Sequence, residues 1–293
     1  MARDKLVVVN ILNIAMNPIH SQSMYHEQFK KIFDKKITVR ISGEKYGTLN
    51  SLNYVNPEKP ELGIYGFFYK FTKLQLDKWY NLSKEDYASP EELKKINIPA
   101  HLVPNAEKFC YIFYPQHHCL IFQSAESSRK FSPNLARIMF EQFFNDKRIN
   151  DDNIFTSVSL VQSEISLTNI YNIPILSKME ITINRPNADF DDADESEVYN
   201  RMNKQNVKRW QTILKSHNKE NILPDEQTKK LAKVALSNGK VEATGYDDEG
   251  MKIEESTTQH PLSEQYTYNP NKEDFIQRFL LKAREFLNSF LGL

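Results

Sequence analysis

Along residues 271–291, Phe275, Ile276, Phe279, Leu280, Ala283, Phe286, Leu287, Phe290 and Leu291 recur at helical spacing. An apolar stripe that wide does not stay in water. Any fold this chain adopts must therefore supply a surface to receive it, within the chain or across a subunit interface. Asn271 is expected to cap the helix, and Asp274 stands where the positive end of the helix dipole favours an acid.

The rest of the chain has the material for a large core, with 40% hydrophobic residues in 293. Lys+Arg and Asp+Glu both number 38, which excludes a global field that steers the molecule to nucleic acid or anionic lipid. A polyanion site would have to be a local patch. Only two cysteines occur, Cys110 and Cys119, on either side of an expected hairpin turn. They are too few for a disulfide framework, so a reduced, cytoplasmic protein is expected. The apolar run at residues 6–9 is too short for a signal peptide or a membrane span, no later run reaches membrane length, and no motif calls for a cofactor.

Residues 6–14 read as a buried strand, followed by a helix capped by Ser21 or Ser23 with Tyr25, Phe29, Ile32 and Phe33 inward. Strands follow at residues 37–41 and up to Tyr54, with a turn through Gly43 and Gly47. Residues 62–74 form an aromatic strand with Tyr65, Phe67, Tyr69 and Phe71 on one alternating face and Phe68 on the other. Residues 76–104, punctuated by prolines, read as a surface excursion with a short helix near Glu91. Two strands flank Pro115-Gln116-His117-His118, and a helix starts at Ser132-Pro133. A strand at residues 154–161, a short helix at 163–171 and a strand at 175–184 come next. Beyond Pro186 a helix is expected to carry Val198, Met202, Trp210, Ile213 and Leu214 on one stripe. A second helix ends at Asn238-Gly239, and a hairpin turns at residues 247–250.

This order predicts an α+β fold: a mainly antiparallel sheet with helices on one face, ferredoxin-like or of split βαβ type, plus a mainly helical C-terminal region. The expected division is 1–186 for the sheet domain and 187–293 for a helical region with a β-hairpin and the C-terminal docking helix.

Several clusters invite a chemical reading. The acidic run Asp189, Asp191, Asp192, Asp194, Glu195 and Glu197 offers hard oxygen ligands, but it lacks the spacing and glycine of a calcium loop and suits a helix start without any metal. Asp247-Asp248-Glu249-Gly250 reads as a wet turn. His117 and His118 are adjacent with no third ligand at useful spacing, so no metal site is expected there. Cys119 beside His118 matches no local nucleophile signature, and Ser237-Asn238-Gly239-Lys240 lacks the glycine spacing of a phosphate loop. The sharpest reading belongs to the cations Lys30, Lys31, Lys35, Lys36 and Arg40, which precede the rings Tyr65, Phe67 and Tyr69. Rings beside cations on a sheet are how RNA-binding sheets stack bases and hold phosphates, although residues 66–71 do not follow the ordered RNA-recognition consensus.

Gly63-Ile64-Tyr65-Gly66-Phe67-Phe68-Tyr69-Lys70-Phe71, Asn97-Ile98-Pro99, Pro104-Asn105 with the following Phe109-Cys110-Tyr111-Ile112-Phe113, and Ser237-Asn238-Gly239-Lys240-Val241 together give a chain that resembles a bacterial family known as domain of unknown function 4747. The resemblance implies a cytosolic protein of accessory or defence-associated gene neighbourhoods and brings no catalytic residues with it. The expected function is thus a bacterial accessory or defence-associated protein that binds nucleic acid, RNA above all, through its α+β sheet. The competing expectations are a metal-dependent nuclease built on residues 189–197 or 247–249, and a non-catalytic subunit that docks on another protein, or on itself, through the C-terminal helix.

Overall fold

In the computed structural model, residues 4–17, 21–75, 78–99, 101–149, 154–187, 193–217 and 220–293 are described. The first strand, β1 (Lys5–Asn17), runs for 13 residues because both of its faces find cover. Its odd positions Val7, Val9 and Ile11 enter one core and its even positions Leu12, Ile14 and Met16 enter another. Asn10 and Asn13 stay inside the strand because their amides are used: Asn10 Nδ2 donates to the Leu262 carbonyl (2.9 Å), and Asn13 Nδ2 to Asn238 Oδ1 (2.9 Å).

After helix α1 (Gln22–Asp34), capped by Ser21 Oγ on the Met24 amide, come β2 (Thr38–Ser42), β3 (Lys45–Leu49), β4 (Asn53–Tyr54) and β5 (Ile64–Thr72). The polar excursion holds only β6 (Tyr80–Asn81), β7 (Asp86–Tyr87) and the short helix α2 (Pro90–Leu93), which Ser89 and Glu92 close with a capping box. Strands β8 (Glu107–Tyr114), β9 (Cys119–Glu126) and β10 (Arg129–Lys130), helix α3 (Pro133–Phe144) and strand β11 (Phe155–Leu160) complete the first part.

Next come α4 (Ile165–Tyr171), β12 (Ile175–Asn184), α5 (Ala193–Lys204), β13 (Arg209–Lys215), α6 (Glu226–Asn238), β14 (Gly239–Tyr246) and β15 (Lys252–Ser256). The chain closes with β16 (Ser263–Tyr268) and α7 (Phe275–Leu291).

The larger sheet is antiparallel throughout, in the order β11–β1–β9–β8–β5–β3–β2, with β16 beside β1, β10 beside β9 and β4 beside β5. The smaller sheet runs β13–β12–β14–β15, also antiparallel. Both contain a split βαβ unit. Strands β9 and β11 are each antiparallel to the β1 between them, hence parallel to one another, and α3 joins them; β13, α6 and β14 repeat the arrangement around β12. The α+β class, the mainly antiparallel sheet and the helical C-terminus are as expected, while four strands also lie within the C-terminal region expected to be mainly helical.

Helices α1 and α3 cover one face of the larger sheet. Phe29 of α1 packs on Phe113 (ring centroids 5.1 Å apart) and meets Phe144 of α3 edge-on at 5.2 Å, the offset and T-shaped contacts that aromatic quadrupoles favour. The docking helix α7 covers the opposite face, burying Phe279, Ala283, Phe286 and Leu287 against Val9, Ile112 and Ile121. The wide stripe is thus received within the chain. Its cap is Asp274, whose carboxylate accepts from the Gln277 amide (2.8 Å), rather than Asn271, because the helix begins only at Phe275.

One other reading changes. The stripe expected from Val198 to Leu214 is broken: α5 stops at Lys204, Asn206 turns the backbone through the left-handed region (φ 54°), and residues 209–215 form β13. Trp210, Thr212 and Leu214 alternate there, a period of two that a mixed helical count conceals. The smaller sheet draws on residues either side of Pro186, where the division is expected. Strand β12 pairs with β13 and β14, while β16 and α7 return to the larger sheet. Among the described residues no helix is long and apolar enough to cross a membrane.

Candidate nucleic-acid interface

The eight residues that suggest an RNA site are divided by the larger sheet. Cross-strand register sets Tyr65 opposite Ile112 and Phe67 opposite Cys110, on the face that α7 covers further along. Helix α1 lies on the other side, with Tyr25, Phe29 and Ile32 down, Lys30 exposed and Lys31 half-buried on it, and Lys35 and Lys36 exposed just beyond its end. Lys30 is paired with Asp34, and Lys35 Nζ donates to the Arg148 carbonyl (2.6 Å). The four lysines therefore lie on the side of the sheet away from the rings. Nearness in the sequence misleads because the sheet itself stands between α1 and the outer face of β5.

Arg40 does share the face of the rings. In β2, Val39 and Ile41 point into the α1–α3 core, so Arg40 points away from it. Register aligns Arg40 with Tyr46 of β3 and Tyr46 with Phe71 of β5; one step along, Thr48, Tyr69 and Lys108 of β8 form a second row. The result is a patch of rings with cations among them. Lys108 Nζ stands 4.4 Å from the centroid of Phe67, Lys73 Nζ stands 4.3 Å from that of Tyr46, and Tyr46 stacks on Phe71 at 6.2 Å. Tyr46, Tyr65, Phe67 and Tyr69 are half-buried, and Tyr65 and Phe67 pack against the core beneath α7. Arg40 donates from Nε to the Gly43 carbonyl (2.5 Å) and pairs with Glu44 (3.0 Å). Among the described residues neither Lys73 nor Lys108 has a carboxylate partner.

Tyr46, Lys73 and Lys108 escape a reading of the sequence. Their membership depends on register between strands far apart in the chain, and only the alternation of Tyr46 and Thr48 in β3 hints at it.

Several residues of the other clusters have structural partners. His118 sits in the turn before β9 at φ 55°, buried, with Nδ1 3.1 Å from the Tyr25 hydroxyl, whose own proton reaches the Ile14 carbonyl (3.0 Å). Cys110 and Cys119 are free and buried; Cys119 faces Tyr114, while Cys110 lies further along the hairpin, where its amide meets Gln123 Oε1 (3.1 Å). Burial pushes the Cys119 thiol up to about 12 and raises that of Cys110 as well.

Asp189, Asp191 and Asp192 lie outside the described residues. Asp194 pairs with Lys230 (3.2 Å), and Glu195 accepts from Asn238 Nδ2 (2.8 Å). The Asp247 carboxylate accepts the amides of Glu249 and Met251 (3.0 and 2.7 Å), which makes its segment a self-stabilised turn. Among the described residues no group of three His, Cys, Asp or Glu is placed to hold a metal ion.

The sequence family described as Domain of unknown function (DUF4747) matches residues 6–284, nearly the whole chain. No curated protein matches it.

Proposed function

The chain belongs to the DUF4747 family, whose description carries no activity, and we propose that it binds single-stranded nucleic acid, RNA in the first instance, on the ring-bearing face of β2, β3, β5 and β8. The observation that carries this reading is Lys108 Nζ at 4.4 Å over the Phe67 ring, on the same face as Tyr65, Tyr69 and Arg40. Aromatic rings that are not fully buried serve as stacking platforms for bases, at about 1–3 kcal/mol per stacked base, without demanding a particular sequence. Lys73, Lys108 and Arg40 beside them supply charge for the phosphates that link those bases. Such local charge suits a chain of net charge zero. In the setting that the family resemblance suggests, a bacterial accessory or defence system, sequence-tolerant capture of RNA is a useful first step.

Titration of a fluorescent single-stranded RNA at several salt concentrations tests the proposal. Replacing Lys73 and Lys108 together with Ala should weaken binding about tenfold or more and reduce the salt slope by about 1.4, at roughly 0.7 per phosphate contact. Tyr69→Ala should weaken binding with the slope unchanged. Replacing Lys30, Lys31, Lys35 and Lys36 with Ala should leave affinity intact. Loss of binding in that quadruple variant but not in the Lys73 and Lys108 variant would overturn the assignment, as would failure of the parent chain to bind RNA.

A further inference from the structure

The smaller sheet has one filled face and one that opens on a cleft. Met179, Ile181, Val241 and Ala243 turn towards α5 and α6, so the intervening side chains of β12, β13 and β14 project the other way, towards α3 and β11 of the larger sheet. Between these walls lies a cleft of about 540 Å³, within the size range of small-molecule sites.

Hydrogen bonds fix the side chains that line it. Asn184 Nδ2 donates to Ser159 Oγ (3.3 Å) and so ties the two walls together, while Asn184 Oδ1 accepts from Arg209 Nε (3.1 Å) and orients the guanidinium. One row away, Gln211 Nε2 donates to Thr182 Oγ1 (3.3 Å), with Lys240 on the far side of Thr182. These bonds leave Arg209 with both terminal amino groups uncommitted, and among the described residues it has no carboxylate partner. Of the other charged groups among the described residues that line the cleft, Arg137 on the opposite wall is paired with Glu141 (2.7 Å), Lys240 with Glu242 (2.6 Å) and the Glu180 carboxylate with Lys178 (2.8 Å), which leaves Arg209 as the cation free to meet an anion.

We infer that this cleft is a binding site for a sugar phosphate. A planar guanidinium held by an amide matches a phosphate group bidentately. The hydroxyl and amide groups of Thr182 and Gln211 match sugar hydroxyls next to that phosphate. No aromatic ring is among the described residues lining the cleft, so a base has nothing to stack on and the sugar and phosphate carry the recognition. This site lies apart from the ring-bearing face proposed for RNA and does not rest on that proposal.

Isothermal titration of the full chain with ribose 5-phosphate, ribose and inorganic phosphate tests the inference. Ribose 5-phosphate should bind more tightly than either fragment. Arg209→Gln should weaken it about tenfold or more, since a charge-assisted pair of bonds is lost. Gln211→Ala, which leaves the charge in place, should reduce the preference for ribose 5-phosphate over inorganic phosphate. Replacing Lys73 and Lys108 should change nothing here. Equal binding of ribose 5-phosphate and inorganic phosphate would reduce the cleft to a simple anion patch and overturn the inference, and so would an absence of binding by the parent chain or an unchanged affinity in a folded Arg209→Gln variant.

Discussion

The Tyr268 hydroxyl donates to Glu126 Oε1 across 3.1 Å, joining residues 142 positions apart on strands that flank β1. The same carboxylate accepts from Lys5 Nζ (3.0 Å) and Gln123 Nε2 (2.9 Å) and pairs with Arg129. Burial by itself would raise the Glu126 carboxyl, yet the hydrogen bonds from Lys5 and Gln123 and the charge of Arg129 hold it below the ordinary glutamate range. With the folded value below the unfolded one, about 4.3, its contribution to stability is complete above that pH and fades as the pH falls through the folded value. Thermal unfolding from pH 7 to pH 3 should show an acid-sensitive component that Glu126→Gln removes. At pH 7 the variant should cost about 1–3 kcal/mol, and parallel stability curves for the two proteins would refute the linkage.

The docking helix gives a prediction with a built-in control. Phe279 is fully buried, whereas Leu281 on the outer side of α7 is 51% exposed. Phe279→Ala should cost about 3–5 kcal/mol in urea unfolding, and Leu281→Ala less than about 0.5 kcal/mol. Similar losses in both would mean that the exposed side of α7 is covered in solution, which sedimentation would then reveal as self-association.

Cys110 and Cys119 should both resist alkylation in the native protein and react fully once it is unfolded without reductant. Their burial keeps the thiols protonated at neutral pH, and the β8–β9 register places Tyr114, not Cys110, opposite Cys119. Recovery of a linked peptide by mass analysis would contradict that register.

Gly66 and Gly250 should respond differently to alanine. A Cβ on Gly66 would stand 2.0 Å from the Ser51 carbonyl oxygen, itself the acceptor of the Tyr111 hydroxyl, so the backbone of β5 must shift. About 1–3 kcal/mol is expected for that overpacking. Gly250 has open space around it but a φ of 81°, so Gly250→Ala should cost about 1–2 kcal/mol through conformation alone and leave core packing unchanged. Near-ultraviolet circular dichroism separates the cases: the aromatic signal should change for Gly66→Ala only.

Local features are legible where local physics decides. The α7 stripe, the Ser132-Pro133 helix start, the aromatic alternation of β5 and the turn at Asp247 all come from spacing and turn chemistry, and the structure bears them out. Long-range features are not. Strand β16, Ser-Glu-Gln-Tyr-Thr-Tyr, is too polar to announce itself and exists because β1 offers it an edge. Lys30 and Tyr65 look like neighbours because nothing in spacing shows which face of the sheet a preceding helix will choose. The cleft beside Arg209 is hidden for the same reason: its walls come from two sheets, and the residues of β13 pass for part of a helix.

The divided edge of β1 also has a consequence for biosynthesis. Residues 12–17 pair with β11, but residues 5–10 wait for β16, and Val7 and Val9 wait for the helix beyond it. A ribosome must reach residue 268 before the first strand it made is hydrogen-bonded along its whole length. Until then the nascent chain carries an open edge beside bare valines, a template for pairing with other chains, and a product cut short before β16 would be a client for chaperones and proteases rather than a shortened working protein.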